Sequence, residues 1–190
     1  MTGPISLAAM RLQLSRWTRE GKIIQLRKGF YTLAKPYSSE FPHSFFLANQ
    51  ITRPSYVSLQ SGLAHYGMIP ENVPAVTSIT TSRPGRKTTL LGTYIYRHIK
   101  PGFFTGYSLV PVYRNQSAFI ASPEKCLLDL VHLTPQGDTW AYLNGLRLQN
   151  LGALNVAALE QLVRTASSPK LARALQNIIK LIDTGEYETL

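Results

Sequence analysis

A single cysteine, Cys126, stands among 190 residues. It leaves no partner for an intramolecular disulfide and too few thiolates for a cysteine-based zinc site. The expected compartment is therefore a reducing cytoplasm. No apolar run approaches the ~18 residues that a membrane span needs. Met1 to Pro4 carries no basic leader, and charged residues interrupt the stretch from Ile5 to Ile24, so a signal peptide is not expected. The chain shows no internal repeat and no low-complexity segment. The four histidines, His43, His65, His98 and His132, lack the i, i+4 spacing of a helical zinc pair. GxSxG, P-loop and dinucleotide fingerprints are missing too. No catalytic residue, metal or cofactor is expected from these motifs.

Acidic residues are also scarce. Ten Asp+Glu face twenty Lys+Arg, a formal net charge of +10. The excess is uneven. Residues 1–115 hold fourteen basic and three acidic side chains, or +11, and residues 116–190 hold six and seven, or −1. A strongly basic part joined to a neutral one implies a polyanionic partner for the former, and nucleic acid is the usual polyanion in a cell. A basic surface kept only for solubility is the alternative.

What remains is ordinary globular material. A hydrophobic content of 44% suffices for a core. Leu7, Met10, Leu14 and Trp17 recur at helical spacing, with Arg11, Ser15, Arg16 and Arg19 on the other side. Gly21 ends that helix. Residues 22–27 and 30–33 read as strands around a Lys28-Gly29 turn. This order is the back half of a winged helix-turn-helix. After the linker-like Pro36 to Pro42, a short helix is expected over Phe45 to Ile51, stopped at Arg53-Pro54. Ser58 is expected to cap a helix running to Tyr66. Strands follow at Val76–Thr81, Thr93–Ile99, Gly106–Tyr113 and Ser117–Ile120, with Ser82 to Lys87 as a basic turn. The last third is helical. Ser122-Pro123-Glu124 opens one helix, Asn155 caps another and Ser168-Pro169 starts a third.

The fold class is thus mixed α/β (α+β). A partial winged-helix unit covers residues 1–35. A larger domain over 36–190 has a β-rich middle and a helical C-terminal part.

Several strings together resemble the AbiEi antitoxins of abortive-infection, phage-defence operons. They are Ser15-Arg16-Trp17 with Gly21-Lys22-Ile23, then Leu26-Arg27-Lys28-Gly29-Phe30-Tyr31, then Pro54-Ser55-Tyr56-Val57-Ser58-Leu59 with Tyr66-Gly67-Met68-Ile69-Pro70. Tyr96-Arg97-His98-Ile99 and Ser122-Pro123-Glu124-Lys125-Cys126-Leu127-Leu128-Asp129 complete the set. The resemblance implies a winged helix-turn-helix that binds inverted repeats in its own promoter. It also implies a second domain that counters a nucleotidyltransferase-like toxin. One departure stands out. A complete winged module has two further helices before the recognition helix, and here only Met1 to Pro4 precedes it. Either the natural start lies upstream or half the module has been lost. Leu12, among the arginines, calls for a packing partner that a second subunit would supply.

The expected DNA-contacting set is Arg11, Ser15, Arg16 and Arg19 on the helix, with Lys22, Arg27 and Lys28 on the wing touching phosphates. A second basic surface is expected from Arg83, Arg86, Lys87, Arg97 and His98. The neighbouring Tyr94, Tyr96, Phe103, Phe104, Tyr107 and Tyr113 serve either as core or as stacking platforms for bases. Lys125 and Asp129, at i and i+4, suit a salt bridge. Cys126 reads as packing. The expected function is a DNA-binding repressor and antitoxin, not an enzyme. Two alternatives stay open: an interaction protein that has lost DNA binding, and a nucleic-acid-processing enzyme with dispersed carboxylates.

Overall fold

Gly21 takes a φ of +69° immediately after the first helix, α1 (Leu7–Arg19), a backbone region that glycine enters without Cβ strain. At the other end Ser6 accepts a hydrogen bond from the Ala9 amide. The computed structural model describes residues 6–70 and 73–187, so the Met1–Pro4 stretch lies outside it. The chain then forms a two-stranded antiparallel hairpin, β1 (Ile23–Arg27) and β2 (Phe30–Leu33), turning at Lys28-Gly29.

The remainder is organised by one six-stranded mixed sheet. Its strands are β3 (Ser55–Val57), β4 (Ala75–Thr80), β5 (Gly85–Thr89), β6 (Gly92–His98), β7 (Tyr107–Tyr113) and β8 (Gln116–Ala121), in the spatial order β5-β6-β4-β3-β8-β7. β3 lies at the centre, antiparallel to β4 and parallel to β8. The fold class is therefore α+β, as the sequence implies.

The pleat sends alternate residues to opposite faces, and each face builds its own core. On one face, Tyr56, Ile79, Ile99 and Ala121 pack beneath α3 (Leu59–His65), α4 (Pro123–Leu133), α6 (Val156–Ala166) and α7 (Pro169–Tyr187). On the other, Val57, Tyr94, Tyr96, Ala118 and Ile120 pack against α2 (Ser44–Ile51). Ile24, Leu26 and Ala34 of the hairpin join this second core. The hairpin is thereby anchored on the large sheet, and α1 projects from it.

Local signals explain most element ends. Ser122 accepts from the Lys125 amide and Pro123 occupies the first turn of α4. Asn155 caps α6 through the Ala158 amide. Three expectations are corrected. Residues 85–89 are not turn but the edge strand β5, held by its register with β6; only Ser82 to Pro84 remain irregular. Ser58 precedes α3, yet its hydroxyl makes no cap and donates to Asp129 instead. The apolar stripe of α1 is not buried. Leu7 is 72% exposed, Met10 47% and Trp17 39%, and Leu12, among the arginines, is 67% exposed.

Candidate nucleic-acid interface

The candidate surface begins with α1. Arg11, Ser15, Arg16 and Arg19 are all exposed. None of the three arginines has an ion-pair partner among the described residues. The hairpin follows directly, because the Lys22 amide donates to the Trp17 carbonyl and the Ala34 amide to the Lys22 carbonyl. Lys28 is exposed at the hairpin tip, beside Gly29 at φ +76°.

Two of the seven expected contacts are committed elsewhere. Lys22 lies 2.8 Å from the Glu20 carboxylate. The hydrogen bond between them lowers the Glu20 pKa and raises that of Lys22. Arg27 donates from Nε to the Gln50 carbonyl at 2.7 Å, tying the hairpin to α2, and its guanidinium lies 5.7 Å from the Phe30 ring centre. Arg11, Arg16, Arg19 and Lys28 are left as the unpaired cations of this edge.

The second basic group is divided by the sheet. Arg86 pairs with Ile95, which places it on the same face as Arg97, and Lys87 pairs with Tyr94, on the face of His98. Arg97 donates to the Leu133 carbonyl at 3.3 Å. His98 Nδ1 lies 3.1 Å from the Ser82 carbonyl, close to Arg83. Of the aromatics nearby, Tyr94, Tyr96 and Phe103 are core. Phe104 and Tyr107 instead line an open cleft together with Arg53 and Phe119, two residues that the sequence does not single out.

The arrangement closest to an enzyme site is the cluster around α4. Asp129 accepts from Tyr56 at 3.0 Å, from Ser58 at 2.8 Å and from Lys125. Lys125 also sits 3.8 Å from the Phe103 ring centre. Both charged side chains are fully buried. Burial pushes the Asp129 carboxyl up and the Lys125 ammonium down, each against the opposing charge of its partner. Burial likewise raises the Tyr56 phenol and the Cys126 thiol, which disfavours the thiolate that a nucleophile requires. With no exposed surface on either charge, the cluster ties α4 to β3. Glu124 is also structural, accepting from the Asn155 amide at 2.9 Å. Among the described residues no three His, Cys, Asp or Glu side chains gather to hold a metal, and no helix is long and apolar enough to cross a membrane. No protein-family model matches the chain, and neither does any curated protein.

Proposed function

We propose that the chain is a DNA-binding transcriptional repressor and antitoxin of a toxin–antitoxin operon, acting by stoichiometric binding and not as an enzyme. The observation that carries this reading is the set of exposed cations Arg11, Arg16, Arg19 and Lys28 on a helix and the hairpin after it. A helix of this width fits the major groove, where arginine reads guanine edges. Lys28 at the hairpin tip then meets the flanking phosphates, which set register and not sequence. The operator is double-stranded DNA with inverted repeats, which a two-fold pair of chains matches by symmetry. The strings that resemble AbiEi proteins support the antitoxin half of the reading, directed in the cytoplasm against a nucleotidyltransferase-like toxin.

The test is a reporter driven by the DNA upstream of the gene, with toxin rescue followed in the same cells. The chain is expected to lower reporter output, and Arg16→Ala/Lys28→Ala to restore it while still rescuing growth. Full repression by the double variant would overturn the proposed surface. Rescue without any repression by the parent chain would favour the interaction protein that does not bind DNA.

A further inference from the structure

A cleft of about 440 Å³ opens on the large sheet between the C-terminal end of α2 and the β7–β8 edge. Its walls include Arg53, Phe104, Tyr107, Leu109 and Phe119. The volume falls in the range that holds a nucleotide-sized group. The rings are braced. Tyr107 stacks on buried Tyr56 with centroids 4.6 Å apart and planes 17° apart. Phe104 meets Tyr107 at 5.2 Å and Phe119 meets it edge-on at 5.7 Å. Phe119 keeps 42% of its surface exposed and Leu109 59%, unusual for large apolar side chains on strands.

The polar side chains of the cleft are Asn49, Gln50, Arg53, Ser55 and Ser117, together with the Tyr107 phenol. Asn49 accepts from the Phe119 amide at 2.7 Å and donates to the Ser55 carbonyl at 3.1 Å, fixing α2 against β8. Arg53 donates to Gln50 through one guanidinium nitrogen. Its other N–H groups have no partner among the described residues, and a guanidinium offers five. Arg53 does not stand alone. The Ser82 hydroxyl donates to its carbonyl at 3.2 Å, and His98 Nδ1 lies 3.1 Å from the Ser82 carbonyl. These bonds bring the Ser82 backbone and the His98 ring to the Arg53 carbonyl, and Arg53 is the cation that lines the cleft. No carboxylate lines the cleft. Over residues 41–122 the basic side chains are Arg53, Arg83, Arg86, Lys87, Arg97, Lys100 and Arg114, against one acid, Glu71.

We propose that this cleft binds a single-stranded nucleic acid, one base lying against Phe119 and the adjoining phosphate against Arg53. A braced aromatic wall beside a cationic rim is the chemistry that takes unpaired bases without strong sequence preference. A duplex keeps its base faces stacked and cannot offer one. None of Arg11, Arg16, Arg19 and Lys28 lines the site, although the hairpin reaches its rim where Arg27 donates to the carbonyl of Gln50.

The test is fluorescence anisotropy of the full chain with a short labelled oligothymidine and with an abasic strand of equal length. The oligothymidine is expected to bind more tightly than the abasic strand. Phe119→Ala is expected to weaken oligothymidine by about tenfold and to leave the abasic strand unchanged. Arg53→Gln is expected to weaken both. Phe119→Leu, which keeps apolar volume and removes the ring, stands in should the alanine variant fail to fold. Equal affinity for the two strands in the parent chain, or an unchanged affinity in the Phe119 variants, would overturn the proposal. Arg16→Ala/Lys28→Ala is expected to keep its oligothymidine affinity, so this reading and the repressor reading fail separately.

Discussion

At the scale of single residues, Asp129 is the side chain with the most depending on it. Its carboxylate satisfies two hydroxyls and a lysine in the centre of the larger core, joining β3 to α4 across 73 residues of sequence. A buried pair of this kind adds little net stability relative to apolar packing, but removing one charge strands the other. Lys125→Met is therefore expected to cost about 3–5 kcal/mol in urea denaturation. Lys125→Met/Asp129→Asn is expected to cost less than that single change, because no unpaired charge remains and the amide oxygen still accepts from Ser58 and Tyr56. A double variant no more stable than Lys125→Met would show that packing, and not stranded charge, sets the cost.

At the scale of elements, the tightest contact is between α3 and α4. A Cβ built on Gly62 would fall inside the Cys126 sulfur, so only glycine lets the two helices approach this closely. Gly62→Ala is expected to destabilise by about 1–3 kcal/mol through overpacking. Most of that cost should vanish in a Cys126→Ala background, measured as a double-mutant cycle. Additivity of the two changes would contradict the close-approach account. The same elements show which parts of the fold can be read from sequence. α4 is legible because Ser122-Pro123 marks its start, and its burial follows from its apolar residues. β6 is legible from strict alternation, with Tyr94 and Tyr96 facing inward. β5 is not, because Pro84-Gly85 and three cations give the composition of a turn. Its strand form comes from pairing with β6, a tertiary effect that overrides propensity. β3 is three residues long behind a proline, and α5 (Trp140–Gly145) is too short to show a helical period. In the Asp129 cluster, the i, i+4 partner is visible in the sequence. Tyr56 and Ser58 are not, since only the sheet brings them near. The cleft stayed hidden for the same reason: Arg53 and Phe119 lie 66 positions apart and meet across the sheet.

At the scale of the whole molecule, the charge is segregated as the composition implies. The basic excess lies on α1, the hairpin and the loops and edges of the large sheet, while the C-terminal helices are close to neutral. The hairpin is held by the second core and by Arg27 on α2. The arginines of α1 thus stand on a helix with no buried residue, carried by an anchored hairpin. On the proposed reading, such an edge would bind any duplex through phosphate neutralisation, with an affinity that falls steeply with salt. Sequence-specific binding requires, in addition, base contacts by the helix. The most direct test is the affinity of the full chain for a labelled duplex from its own upstream DNA, across a salt series with unrelated duplex as competitor. The account predicts binding that persists against competitor and a salt slope about one unit shallower when Lys28 is replaced by alanine. Equal affinity for operator and unrelated duplex, or a slope unchanged in Lys28→Ala, would contradict it.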